Sequence, residues 1–249
     1  MFQERGPHVE EWFKDWFDGD YAAIYEHRDE GEAERAVAMA LAQAPALAAG
    51  PVLDLGCGAG RHLAVLRRTN PLAFGLDLSR DLLGMAPEDL RPWLLRGDMR
   101  RLPLRDGSLA GICLWFTPFG YFSDDQNRAL LQRLRDLLRP GGVLLLDYLN
   151  AQYVREHLVP QDEALHGGLR VVSRRTLEGS RLVKQMTLTR LETGAQRQVK
   201  ESVRIYEPQD LRAMAASSGL AIAREAGDYQ GAPFDPGRSS RWIGFLVRV

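Results

Sequence analysis

The chain has 249 residues, 45% of them hydrophobic, with 32 Lys and Arg set against 33 Asp and Glu. That apolar content excludes a disordered chain, since enough surface can be buried to offset the entropy of ordering, and the formal charge of -1 removes the default argument for a polyanion-binding protein. Two cysteines, Cys57 and Cys113, are too few for a disulfide scaffold or a cysteine-built zinc site, and no apolar run has the length of a membrane span or the place of a signal segment, so the chain reads as soluble and cytoplasmic.

Residues 1–50 are acidic, with a formal charge of −7. They carry Trp12, Phe13, Trp16, Phe17, Tyr21 and Tyr25, several of them at i,i+4 spacing. The Ala-rich run 32–49 predicts a helix, with Pro45 breaking it or starting a new turn. This segment is expected to be a helical lid. From residue 51 the pattern alternates short apolar runs with helical stretches: VLDLG (52–56), AFGLDLS (73–79), LAGICLWF (109–116) and GVLLLDYL (142–149) read as strands, and 124–138 as a helix before Arg139-Pro140-Gly141-Gly142. That alternation predicts an α/β fold, a mostly parallel sheet with helices on both faces, spanning 51–165. Between 166 and 207 the period changes to two. Turns at Glu178-Gly179-Ser180 and Thr193-Gly194-Ala195 predict three antiparallel strands, inserted into the sheet domain as a small β-subdomain. Residues 169–206 carry a formal charge of +6. Residues 208–249 return to the core as a helix, with Pro208 near its first turn and Gly219 past its end, and two final strands.

The loop Asp54-Leu55-Gly56-Cys57-Gly58-Ala59-Gly60 sits at a strand-to-helix turn, where glycines let backbone approach a ligand closely. In open α/β sheets this is where an adenosine-containing cofactor meets the protein. A dinucleotide fingerprint needs its third glycine at position 61, and Arg61 stands there. A second anchor is Asp77, at the end of the second strand, where a carboxylate can accept hydrogen bonds from both ribose hydroxyls. Asp98, in Gly97-Asp98-Met99 at the end of a third strand, is placed to accept from an adenine amino group while Met99 packs on the ring.

With these residues in hand, the chain resembles the class I S-adenosylmethionine-dependent methyltransferases. VLDLGCGAGRH is similar to their first motif, GLDLS to their second and GDMRRLP to their third, and LRPGG resembles the turn before their fifth strand. The resemblance is strong over 51–150. WFDGDYAAIYE, WFTPFGYFSD and AGDYQGAPFDPGRSSRWIGF resemble a bacterial subfamily of unassigned substrate. It implies a Rossmann-like seven-stranded sheet whose last strand is antiparallel. It also implies S-adenosyl-L-methionine as cofactor, held by Gly56, Cys57, Gly58, Asp77, Leu78, Asp98 and Met99, with Cys57 contributing backbone. The signature of amino-directed nucleic-acid methylation is missing after the fourth strand, where Trp115-Phe116-Thr117-Pro118-Phe119 stands instead.

Methyl transfer needs an acceptor held in line with the methyl group and shielded from water. Beyond the fourth and fifth strands the sequence offers Trp115, Phe116, Thr117, Phe119, Tyr121, Tyr148 and Asn150 for this, with Phe116, Thr117, Phe119, Tyr121 and Tyr148 as expected pocket walls and Tyr21 or Tyr25 covering the site, Tyr25 over the cofactor. Asp147 is a further strand-end candidate to orient or deprotonate the acceptor. No general base is assigned, and His27, His157 and His166 have no metal-ligand spacing, so no metal is expected. The leading expectation is methylation of a small-molecule N or O acceptor. The alternatives are an RNA or tRNA methyltransferase using the basic insert, and a cofactor-bound domain without turnover.

Overall fold

A computed structural model describes residues 11–26 and 29–249. Residues 1–10 of the expected lid, together with His27 and Arg28, lie outside the described residues. Seven strands form one sheet in the order β10-β11-β5-β4-β1-β2-β3. They are β1 (Val52–Leu55), β2 (Ala73–Asp77), β3 (Leu94–Arg96), β4 (Leu109–Leu114), β5 (Leu138–Leu149), β10 (Leu220–Ala226) and β11 (Arg241–Arg248). Strands β1 to β5 pair in parallel, and β11 runs antiparallel to both β5 and β10. The order reverses between β1 and β4. A crevice opens there beyond the carboxyl ends of the strands, where ligands of open α/β sheets bind.

The two faces of the sheet can be read along β1, which is buried throughout. Val52 joins a cluster with Ala36, Val37 and Ala40 of α3 (Glu30–Gln43) and Leu63 and Leu66 of α4 (Arg61–Thr69). Leu53 and Leu55 join the opposite cluster, with Leu130, Leu131 and Leu134 of α6 (Asp124–Leu137) and Leu211 and Met214 of α8 (Pro208–Ser217). Helix α6 starts with a capping box between Ser123 and Gln126, with Asp124 and Asp125 at the positive end of its dipole. Its buried leucines each contribute about 1.5–3 kcal/mol. The following Arg139-Pro140-Gly141-Gly142 does not precede β5 but interrupts it as a bulge: the register with β4 shifts between Leu109↔Leu138 and Gly111↔Val143.

The second sheet has four strands, where periodicity predicts three: β6 (Gln161–His166), β7 (Leu169–Glu178), β8 (Arg181–Arg190) and β9 (Gln196–Arg204), all antiparallel. The added strand, QDEALH, lies at the sheet edge and is mostly exposed, so no apolar alternation marks it in the sequence. The insert therefore starts at 161 rather than 166. The expected turns are present between β7 and β8 and between β8 and β9.

Two short helices, α1 (Phe13–Trp16) and α2 (Gly19–Ile24), lie against both sheets. Trp12, Phe13 and Trp16 share one buried cluster with Ile112 of the large sheet and Val171, Met186 and Leu188 of the insert. Gly120 marks the seam between the sheets. Its φ is +95°, its carbonyl accepts from the Arg204 amide at 2.7 Å, and a Cβ there would stand 2.9 Å from Tyr148 Oη and 3.0 Å from the Arg204 carbonyl. Backbone cannot move aside as a flexible side chain can. Gly120→Ala is expected to lower the unfolding free energy by about 2–4 kcal/mol in urea titrations; a loss below about 0.5 kcal/mol would show that this seam is not tightly fitted.

Candidate active site

A cavity of about 310 Å³ opens at the carboxyl ends of β1, β2 and β4. Its floor is the loop from β1 to α4. Gly56 and Gly58 have φ of +76° and +55°, and the Gly56 amide is tied to the Leu76 carbonyl at 2.8 Å. A Cβ on Gly56 would come within 3.2 Å of Pro118. The loop is thus narrow because glycine allows it to be. Asp77 ends β2: one carboxylate oxygen accepts from the Gly58 amide and the other from the Ser79 amide, each at 2.8 Å. Burial pushes its pKa up, while the Ser79, Gly58 and Leu78 amides pull against that rise. Each oxygen keeps a lone pair for a ligand hydroxyl.

Asp98 caps a 3₁₀ turn through the Arg100 amide and forms a forked ion pair with the Arg100 side chain. Burial would raise it, but the Arg100 hydrogen bonds win and hold it below the usual carboxylate range. Cys57 is a lining residue, but its sulfur packs against Gly75 of β2, where a Cβ would stand 2.6 Å away, and its thiol is pushed well up, by burial first and by Asp54 and Asp77 after it, so it is not a nucleophile.

Helices α1 and α2 supply the roof. Phe13, Phe17, Tyr21 and Tyr25 line the cavity from above, with ring centroids 4.8 Å apart for Phe17 and Tyr21 and 4.7 Å for Tyr21 and Tyr25. The insert holds this roof down. Lys184 donates to Tyr25 Oη at 2.8 Å, and Tyr25 donates to Glu201 at 3.2 Å. Trp16 donates to the same carboxylate at 2.6 Å. Arg197 pairs with Asp18 at 2.5 Å and Asp20 at 3.1 Å, and Arg190 pairs with Asp20 at 2.9 Å. On the other side, the Ser79 hydroxyl donates to the Phe17 carbonyl. The far wall comes from Trp115, Phe116 and Pro118 after β4, with Tyr121 beyond them.

Gly56, Cys57, Gly58, Asp77, Leu78, Asp98, Met99, Tyr21, Tyr25, Phe116 and Tyr121 therefore line one cavity. Three residues expected in the acceptor wall do not. Phe119 and Tyr148 are fully buried and pack against each other and Tyr206, because the insert covers the positions a strand end would otherwise expose. The Thr117 side chain turns to Arg241, whose guanidinium donates to its hydroxyl at 3.0 Å. Trp115, also offered by the sequence at the end of the fourth strand, lines the cavity, whereas sequence reasoning missed Phe13, Phe17, Arg61 and His62 as lining residues, although the i,i+4 aromatic series was the available signal for the first two.

It also left Asp54 without a role. Asp54 is 1% exposed and, among the described residues, neither carboxylate oxygen has a well-formed hydrogen bond. Burial, reinforced by Asp77, pushes its pKa up to about 8, against weaker opposition from the Leu63 amide and Arg61. Uncharged below about pH 8, Asp54 adds no charge behind the glycine loop, and Asp77 at the loop's edge is the acid that a ligand in the cavity meets.

A family model described as a methyltransferase domain matches residues 52–142. The carboxy-S-adenosyl-L-methionine synthase of Chromohalobacter salexigens is 38% identical over 106 residues, 38% of this chain and 38% of that one. The dTDP-3-amino-3,6-dideoxy-alpha-D-glucopyranose N,N-dimethyltransferase of Streptomyces fradiae is 30% identical over 138 residues, 53% of this chain and 54% of that one. These matches span about half the length of those relatives or less. Among solved structures, the amino pentose methyltransferase of Micromonospora echinaspora, bound to S-adenosylmethionine, superimposes with a TM-score of 0.67 at 24% identity, covering 92% of this chain and 97% of that one. That likeness is one of fold.

Asp54 keeps its proton to about pH 8 in the folded protein, but only to about pH 4 when unfolded. The folded state holds the extra proton between those values, so this group makes stability fall as pH rises from about 4 to 8. Asp54→Asn is expected to gain on the wild type by on the order of 2–5 kcal/mol between pH 5 and pH 8 in urea unfolding without ligand. An equal difference at both pH values would show that the carboxyl is ionised throughout.

Proposed function

We propose that the chain, whose residues 52–142 match a methyltransferase domain, is a class I S-adenosylmethionine-dependent methyltransferase that transfers a methyl group to a small-molecule N or O acceptor. The observation that carries this reading is one continuous cavity, in which the glycine loop, Asp77 and Met99 at one end meet an aromatic chamber at the other. Its size suits a small-molecule site, for which about 300–1,000 Å³ is usual.

The residues present fit the cofactor on the evidence of their own chemistry. Asp77 keeps lone pairs for two hydroxyls, and the rings of Phe17, Tyr21, Tyr25 and Phe116 line the same cavity. When bound, S-adenosylmethionine supplies a methyl group already activated on a sulfonium, so no strong electrophile need be built by the protein. The protein's work is to bind, orient and exclude water. Gly56 and Gly58 let the loop backbone approach the ligand, and Asp77 accepts from ribose hydroxyls. Asp98, steadied by Arg100, and Met99 bound the base. Tyr21 and Tyr25 close the roof over the chamber, and aromatic faces there favour a cationic centre. The amino sugar named for the Streptomyces fradiae relative and the amino pentose named for the Micromonospora protein support an amine acceptor.

The nucleic-acid alternative loses support from the charges of the insert. Arg170, Arg175, Arg190, Arg197 and Arg204 each face a carboxylate, so much of the +6 is neutralised within the molecule. A backbone-binding surface needs cations available to phosphates. The reading without turnover accounts less well for an aromatic chamber continuous with the cradle.

Two measurements test the proposal. Calorimetry should show S-adenosylhomocysteine binding that weakens about 10- to 100-fold in Asp77→Ala, the loss expected for charge-assisted hydrogen bonds of about 1.5–3 kcal/mol. A methyl-transfer screen over small amines, phenols, carboxylates and bulk tRNA should give turnover on a small molecule. Turnover confined to tRNA, with steep salt dependence, would contradict the acceptor class.

A further inference from the structure

Phe116 and Thr117, consecutive and neither of them glycine, both have left-handed backbone, with φ of +60° and +65°. For a bulky residue and a β-branched one this is a conformation that survives only where the surroundings over-determine it, and such positions cluster at functional sites. Here the surroundings are specific. Asp147 on β5 accepts the Phe116 amide on its carboxylate at 2.8 Å and the Thr117 amide on its backbone carbonyl at 2.9 Å. Tyr229, from the connection between β10 and β11, donates to the same carboxylate oxygen at 2.6 Å. Arg241, the first residue of β11, donates to the other carboxylate oxygen and also to the Thr117 hydroxyl. Asp147 is fully buried and the Arg241 side chain is 19% exposed. Three separate elements thus converge on two residues.

We propose that Asp147, with Arg241 and Tyr229, is a clamp that holds Phe116 and Thr117 in their left-handed turn and thereby fixes the aromatic wall against which the acceptor is aligned. This rests on the methyl-transfer reading above. Phe116 is the clamped residue that faces the cavity, and its ring lies 4.9 Å from the Arg241 guanidinium, 5.5 Å from that of Arg61 and 6.1 Å from the Tyr229 ring. The ring is therefore held by its neighbours as well as by its backbone. Asp147 acts through Phe116 and is a positioning residue. Its two oxygens are engaged by an amide, a phenol and a guanidinium, which leaves it poorly suited to take a proton from the acceptor. Methyl transfer in line over a short distance is sensitive to displacement of such a wall, and an error of about 1 Å can lower the rate about 100-fold.

The direct test is Asp147→Asn, which keeps the shape and removes the charge. Hydrogen exchange should quicken at least about tenfold in a peptide covering 115–118, while S-adenosylhomocysteine affinity stays within about threefold, because the glycine loop and Asp77 are separate from the clamp. With the best-methylated small amine or phenol as probe, kcat should fall about 10- to 100-fold and the KM for the cofactor should hold. Thr117→Gly provides a second route if the asparagine variant fails to fold: glycine tolerates this backbone better, so the melting midpoint should be equal or higher, yet kcat should still fall. A purely structural role would not separate those two readouts. Unchanged exchange at 115–118, or unchanged kcat in either folded variant, overturns the clamp. A wild type that binds S-adenosylhomocysteine but methylates no probe counts against the acceptor reading instead, and the exchange experiment still decides the clamp.

Discussion

Arg197 leaves strand β9 and reaches across to Asp18 and Asp20 at the start of α2, where Arg190 of β8 meets the same Asp20. The arrangement above the sheet depends on this meeting of opposite charges. The acidic first segment and the basic insert are the two halves of a partly neutralised interface, although an average over the whole chain shows only a charge near zero. Exposed ion pairs of this kind each contribute little, about 0–1 kcal/mol. Here they flank an apolar contact in which Trp12 and Trp16 are buried beside Met186 and Leu188. The burial supplies the stability and the charges supply the register. With the roof seated in this way, Phe17, Tyr21 and Tyr25 face the glycine loop across the crevice and line it together with the loop.

The parts of the fold that were legible in the sequence are those set by local chemistry. Three glycines after an apolar strand, an acid ending the next strand and Gly-Asp-Met after the third lie together in the structure, because successive strand ends of a parallel sheet share one edge. Turns at Gly179 and Gly194 were legible for a similar reason, since hairpin turns select their residues strongly. Strand β6 was not legible, because an exposed edge strand needs no apolar alternation.

The acceptor wall was read less well, and the failure has a physical cause. Phe119 stands in the loop after one strand and Tyr148 at the end of another, positions that face a ligand in a bare sheet. The insert packs over them, and Gly120 brings its backbone against β9, so both side chains became core. Asp147 shows the same limit from the other direction. Its position was evident as a strand end, but its partners Tyr229 and Arg241 lie about 80 to 95 residues away, and no spacing rule connects them. Asp54 reads as one more residue of an apolar strand until its burial and its nearness to Asp77 are known.

Two acids sit by the glycine loop, Asp77 at its edge and Asp54 behind it, the latter buried deeply enough to stay uncharged to about pH 8, and aromatic side chains line the space beyond. The central claim is that this cavity is a single site for S-adenosylmethionine and an acceptor. The most direct measurement is a crystal structure with S-adenosylhomocysteine. The account predicts ribose hydroxyls on the Asp77 carboxylate, the thioether facing the chamber of Phe116, Tyr21 and Tyr121, and α1 and α2 closed above it. A ligand seated elsewhere, or bound with Asp77 out of contact, would contradict it.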